Sequence, residues 1–263
     1  MAGISSDYVY EIWNKIKKTR PLVHCITNIV TVNDCANILL AAGASPTMAH
    51  HPLEAAEVTE GCRALVCNAG ATESADAMER AGKRAHELGH PIVLDPVGAA
   101  GSTLRRTLCR NLMASIHPDC IRGNYTEIRA LALNRKTGSG VDALEEGGSA
   151  EHTLEEIKEM VCALARQQGC LVAASGAIDV LSDGKQIITV DRGSEMMTKV
   201  TGTGCMSSAL LGAFLAVDHS LESAAAMCTV MGICGERAEQ KTREAGGGTG
   251  TFHIQLLDAV SLF

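Results

Sequence analysis

The chain has 263 residues, 46% hydrophobic and 20% charged, and its 23 basic against 30 acidic residues give a formal charge of −7. An acidic balance without a basic stripe excludes a grip on a phosphate backbone, and an aromatic content of 3% excludes base-stacking platforms, so nucleic acid is not an expected partner. No apolar run approaches the ~20 residues of a membrane helix, and the length suits one domain over 1–263 with a sizeable core.

The stretch Met1–Lys18 is amphipathic, with Ile12, Trp13 and Ile16 on one side. It has no apolar signal core and no small-residue cleavage site, so a cytoplasmic location is expected. Beyond it, apolar runs of strand length alternate with longer helical patterns. Strands are expected over Pro21–Ile26, Ala64–Cys67, Pro91–Leu94, Ser115–Ile121 and Gly169–Ala174, none showing polar alternation, as in strands buried on both faces. Helices are expected over Asn33–Ala42, Leu53–Cys62, Ala71–Leu88, Thr103–Leu112, Glu127–Leu133 and Leu154–Gln168, with Gly43, Gly61, Gly89 and Gly169 where helices should stop. The alternation predicts a parallel sheet covered by helices on both faces. The polar, Gly-rich stretch Asn134–Ala150 reads as a loop long enough to cover a site. Asp179–Asp191 reads as a hairpin around Asp183-Gly184. The runs from Gly204 to Val217 and from Leu221 to Cys234 are apolar nearly all round, which predicts buried helices.

There are 11 cysteines, an odd number without any C-x-x-C. Most lie inside apolar runs and read as small buried hydrophobes in a reducing compartment. Cys205 is the exception, because it follows Thr201-Gly202-Thr203-Gly204 at the start of an apolar helix. Two glycines let the backbone approach a ligand, and the helix start adds unpaired N–H donors and a positive dipole end. That is either an anion site suited to phosphoryl transfer or a glycine turn leading into a core helix. A thiol at this place has its pKa lowered by the dipole, and Cys205 reads as a nucleophile, a proton acceptor or a small packed residue. Neither G-x-x-x-x-G-K-[ST] nor G-x-G-x-x-G occurs, which excludes a P-loop and a standard dinucleotide-binding domain.

In open α/β sheets, ligands bind beyond the carboxyl ends of the strands. Thr27-Asn28, Asn68-Ala69-Gly70, Asp95-Pro96, Arg122-Gly123-Asn124 and Ser175-Gly176 follow the five apolar runs and should share one rim. Asp95, held extended by Pro96, is a rim carboxylate or a turn residue. Glu127 stands three residues after Asn124, the capping-box spacing, and is either a helix cap or, with Asp95, a pair of oxygen ligands for Mg²⁺. Arg122 beside two carboxylates is placed to pair with a phosphate. None of the histidines, His24 included, is coupled to Cys205 by the sequence, and each reads as a structural or surface residue.

The segments PLVHCITNIVTVNDCANILLAAGASPTM (Pro21–Met48), VLDPVGA (Val93–Ala99), IRGNYTEI (Ile121–Ile128), GVDA (Gly140–Ala143), Ser175-Gly176, KVTGTGC (Lys199–Cys205) and GTFHIQLLDAVS (Gly250–Ser261) occur in this order. Together they resemble the hydroxyethylthiazole kinase family, and the first and last are specific to it. GTGC and N-x-x-E alone indicate only the wider ribokinase-like superfamily. The resemblance implies a ribokinase-like three-layer α/β/α sandwich with a mostly parallel central sheet. It further implies ATP-dependent phosphorylation of 4-methyl-5-(2-hydroxyethyl)thiazole in thiamine biosynthesis. By the same resemblance, Asp95 and Glu127 organise Mg²⁺, and Arg122, Asn124 and Ser175 lie on the nucleotide side, Ser175 standing where the family often has Thr. Asn28, Met48, Gly202 and Cys205 match positions on the thiazole side, and Gly202, Thr203, Gly204 and Cys205 form the catalytic turn. Homotrimers with sites between subunits are implied as well. Competing readings are a ribokinase-like kinase of hydroxymethylpyrimidine or pyridoxal, a silent nucleotide-binding module and, more distantly, a cysteine hydrolase.

Overall fold

A computed structural model describes residues 4–134 and 153–263. The Asn134–Ala150 loop after Asn134, and the Gly140–Ala143 segment with it, lie outside the described residues. The amphipathic start of the chain folds as helix α1 (Ser6–Thr19), opened by a hydrogen bond from the Tyr8 N–H to the Ser5 hydroxyl and burying Val9, Ile12, Trp13 and Ile16. Those positions recur at helical spacing, so one stripe faces inward and the lysines stay outside.

Strands and helices then alternate: β1 (Leu22–Ile26), α2 (Val32–Ala41), β2 (Ser45–Thr47), α3 (Ala55–Glu60), β3 (Ala64–Asn68), α4 (Ala75–Leu88), β4 (Ile92–Asp95), α5 (Thr103–Ile116), β5 (Cys120–Asn124), α6 (Tyr125–Leu133), α7 (Leu154–Gln168) and β6 (Leu171–Ser175). The hairpin β7 (Asp179–Ser182) and β8 (Ile187–Val190) turns at Asp183-Gly184 as expected, with Gly184 at φ +87°. Helices α8 (Thr203–Val217), α9 (Leu221–Glu244) and α10 (Thr249–Ser261) follow. All eight strands form one sheet in the order β2-β1-β3-β4-β5-β6-β7-β8, with β1 to β6 parallel and the last two pairings antiparallel.

Alternate residues of the apolar strands face opposite layers. Val23, Cys25, Ala64, Val66, Val93 and Cys120 pack with α1, α2, α8, α9 and α10. Ile26, Leu65, Cys67, Ile92, Leu94 and Ile121 pack with α4, α5, α6 and α7. The result is the expected three-layer α/β/α sandwich. Helix α8 lies so close to the sheet that a Cβ on Gly212 would stand 2.8 Å from Val66 Cγ2.

Several boundaries differ from the sequence reading. Ser115 and Ile116 belong to the end of α5, where Ile116 is fully buried among helix residues such as Ala81 and Ala85, and the chain reverses at His117 with φ +48°. The strand expected over Ser115–Ile121 therefore runs over Cys120–Asn124. Asn68, Asp95, Asn124 and Ser175 are the last residues of their strands rather than followers of them. Helix α9 continues past Cys234 because its second half packs against α10, an element the apolar pattern did not announce. All 11 cysteines are unpaired, and all but Cys162 and Cys170 are buried, in keeping with their reading as small hydrophobes.

Candidate active site

The parallel register brings strand ends together: Asn68 lies opposite Asp95, and Asn124 opposite Ser175. The expected rim thus exists, and the start of α8 meets it. Gly202 caps that helix at φ +91°, in the left-handed region that glycine tolerates, and a Cβ there would stand 3.0 Å from Thr31 Cγ2. The first backbone bond of the helix runs from the Met206 N–H to the Gly202 carbonyl at 2.8 Å. The amides of Thr203, Gly204 and Cys205 precede it, with no capping side chain. The Thr203 hydroxyl donates to the Met197 carbonyl at 2.9 Å, which ties the turn to the segment before it.

Two side chains fasten this helix start to the strand ends. Arg122 of β5 is buried and donates through Nη1 to the Gly204 carbonyl at 3.0 Å and to Ser208 Oγ at 3.4 Å, while its Nε has no hydrogen-bond partner among the described residues. It is therefore a buried strand residue beneath the turn, not an open arm at a strand end. Asn68 is the other link. Its Oδ1 accepts from the Gly70 N–H at 2.9 Å and from Asn28 Nδ2 at 3.3 Å, and its Nδ2 donates to Asp95 Oδ2 at 3.1 Å and to Cys205 Sγ at 3.3 Å. Because a backbone N–H can only donate, the Gly70 contact fixes which end of the amide is oxygen. Asn28 also reaches Cys205 Sγ, at 3.6 Å, and its Oδ1 accepts from the backbone of Val30 and Thr31.

Asp95 is 2% exposed, and burial pushes its carboxyl up to about 6 against the pull of Arg122 and bonds from Ser208 and Asn68. Burial, and then the Asp95 charge, push Glu127 up to about 7. Of the two readings of Glu127, the helix cap is the one seen. Glu127 completes a capping box with Asn124, its Oε2 accepting from the Asn124 N–H at 2.9 Å, while Oε1 accepts from the Gly98 N–H at 2.8 Å. Two buried carboxylates displaced toward their neutral forms are a donor set that a divalent cation would hold charged. With the two Glu127 oxygens already accepting backbone bonds, the set suits an ion that keeps most of its waters, as Mg²⁺ does. No group of three or more His, Cys, Asp or Glu placed to hold a metal occurs among the described residues.

The expectation of a dipole-activated thiol is overturned. Burial, and then the Asp95 charge, push Cys205 up to about 11, outweighing the donors aimed at its sulfur. Ser175 Oγ donates to the Gly123 carbonyl at 3.3 Å, beside Asn124 at the β5–β6 end of the rim. Met48 is half-buried after β2 and packs on the core cluster that includes Cys205, but makes no polar link to the other site residues. Asn68, which the sequence placed on the rim without a role, joins the carboxylate side to the Cys205 side. Its position at the end of an apolar strand was visible, but its four bonds were not.

Residues 13–263 match the hydroxyethylthiazole kinase family. The hydroxyethylthiazole kinase of Ruminiclostridium cellulolyticum is 44% identical, over 97% of this chain and 94% of its own. A solved structure of a hydroxyethylthiazole kinase protein from Pyrococcus horikoshii superimposes with a TM-score of 0.86 at 37% identity, covering 98% of this chain and 94% of that one. A ribokinase-like superfamily protein from Enterococcus faecalis shares the fold at a TM-score of 0.63 and 12% identity, covering 93% and 88%. With its ribokinase-like sandwich and near-complete coverage, the chain belongs to the hydroxyethylthiazole kinase family.

Proposed function

We propose that this chain transfers the γ-phosphoryl group of ATP to the hydroxyl of 4-methyl-5-(2-hydroxyethyl)thiazole, a step of thiamine biosynthesis. The observation that carries this reading is the glycine-flanked start of α8, with uncapped amides, which Asn68 links to Asp95 through the Cys205 sulfur and Arg122 links to β5 through the Gly204 carbonyl. Family membership supports the choice of acceptor.

Phosphoryl transfer through a loose transition state spreads charge over the phosphoryl oxygens, so positioning and electrostatics do most of the work. The Thr203 and Gly204 amides and the positive end of α8 face that charge. Arg122, held beneath the turn by its bonds to Gly204 and Ser208, lends its charge to the nucleotide side, where Asn124 and Ser175 stand at the strand ends. Asn28, Met48 and Gly202 receive the acceptor, with Met48 offering a soft apolar face to the ring. Cys205, protonated at neutral pH with its thiol at about 11, lines the acceptor pocket and abstracts no proton in the resting enzyme. Mg²⁺, when bound, supplies neutralisation of the phosphate charge, and Asp95 and Glu127 are the residues that would hold it. The exposure of Ile29 (83%), Val30 (66%) and Leu53 (80%), close in sequence to Asn28 and Met48, supports a subunit interface beside the acceptor side, and the family resemblance makes that assembly a homotrimer.

A coupled ADP-release assay tests the proposal. Turnover is expected with the thiazole alcohol and Mg²⁺, and little without the cation. Preference for hydroxymethylpyrimidine or pyridoxal, or ATP binding without turnover, would overturn it.

A further inference from the structure

His24 is fully buried in β1 and makes its hydrogen bonds to Ala49 and Thr59. Its Nε2 lies 2.7 Å from the Ala49 carbonyl and its Nδ1 lies 2.8 Å from Thr59 Oγ1 on α3. A carbonyl only accepts, so Nε2 carries the hydrogen. Burial lowers the pKa of His24 and so favours a neutral ring with a bare Nδ1, which shares the single Thr59 hydroxyl hydrogen with the Ala55 carbonyl, 2.8 Å from Thr59 Oγ1. The ring is thereby held from both sides in one tautomer.

What the ring holds is the segment that carries Met48. The β1–β2 ladder ends where His24 pairs with Thr47, the last residue of a three-residue edge strand. Met48 and Ala49 leave the sheet at that point. The part-buried bond from His24 to the Ala49 carbonyl takes over where the ladder stops.

We propose that His24 is a positioning and specificity-determining residue for the acceptor alcohol: its Nε2–H anchors the Ala49 carbonyl and so sets the distance of Met48 from the heteroaromatic ring. The inference rests on the reading of Met48 as an acceptor-side residue. It adds that the width of the ring slot is set from inside the sheet, by a side chain that touches no substrate.

The test is steady-state kinetics of the full-length enzyme with both substrates varied. Loss of one net hydrogen bond from the slot wall, in His24→Leu, should raise the KM of the thiazole alcohol by about tenfold, with the KM for ATP unmoved. The same variant should narrow the discrimination between the thiazole alcohol and the bulkier hydroxymethylpyrimidine. His24→Gln, which keeps an N–H of similar reach, should restore most of the loss. If His24→Leu does not fold, Thr59→Val carries the test. That variant frees Nδ1, and the Ala55 carbonyl with it, while preserving shape, and it should raise the alcohol KM alone. Equal rises in both KM values, or no difference between His24→Leu and His24→Gln, would overturn the inference. Met48→Ala separates it from its premise. An alcohol KM raised by Met48→Ala but unmoved by the His24 and Thr59 variants refutes the tether only, whereas an alcohol KM unmoved by Met48→Ala removes the premise and the tether together.

Discussion

Replacing Asn68 with Ala removes the one side chain among the described residues that bonds both to Asp95 and to Cys205. The amide is 1% exposed, and all four of its hydrogen-bonding directions are used, so nothing in the shell around it is redundant. The Asp95 carboxylate loses a bond to a charged group worth ~1.5–3 kcal/mol, and the Gly70 N–H loses its acceptor at ~1–3 kcal/mol. The Asn28 amide and the Cys205 sulfur add less, and a water entering the space returns part of the sum. A destabilisation of about 3 kcal/mol is expected, a large share of the ~5–15 kcal/mol that holds a domain folded. Urea unfolding should show it as a lower midpoint at unchanged slope. Turnover should fall by ~10²-fold, because Asp95 and Cys205 are no longer held at a fixed separation. A change below about 1 kcal/mol, with turnover intact, would refute the assignment of Asn68 as the link between the two halves of the site.

Glu127 gives a pH signature. Its folded pKa of about 7 exceeds its ordinary value of 4.5, so between those values the native chain binds more protons than the unfolded one, and stability falls as pH rises. A divalent cation favours the charged form, so the melting-temperature increase caused by Mg²⁺ should be greater at pH 8 than at pH 6, and Glu127→Gln should flatten both trends. An Mg²⁺ effect independent of pH would contradict the assignment. Gly204→Ala should fold with near-normal stability, since the nearest atom to a new Cβ is Arg122 Nη1 at 3.9 Å, yet lose turnover because the phosphoryl group can no longer approach the amides. Normal kinetics in that variant would show that the turn does not receive substrate. Cys205→Ser should retain substantial activity, because a hydroxyl accepts from Asn28 and Asn68 as the sulfur does. Complete loss with intact substrate binding would make the thiol essential.

The sandwich was legible because β1, β3 and β4 are short apolar runs buried on both faces, and the glycines at 89 and 169 stop their helices in the left-handed conformation. Strand β2 left no such mark, since Ser45-Pro46-Thr47 is an edge element without an apolar face. Ser115 and Ile116 were read as strand because an apolar run does not reveal where its chain reverses, and His117 takes a left-handed conformation without being glycine. The rim residues could be gathered from strand ends alone. Which of them touch depends on register, and that is why the Asn68 to Asp95 bond escaped notice. The Cys205 thiol was misjudged for a similar reason. A dipole follows from position along a helix, but burial and a neighbouring carboxylate follow only from the packed structure.

Arg122 has one more effect, through the geometry of the peptide group. In a trans peptide the carbonyl and the N–H point in opposite directions. By clasping the Gly204 oxygen from beneath, the guanidinium turns the following Cys205 N–H the other way. That dipole is locked before any anion arrives, so no reorientation is needed when charge develops. A lysine at 122 would keep the charge but end one bond short of Nη1, the single nitrogen from which both the Gly204 and the Ser208 bonds are made.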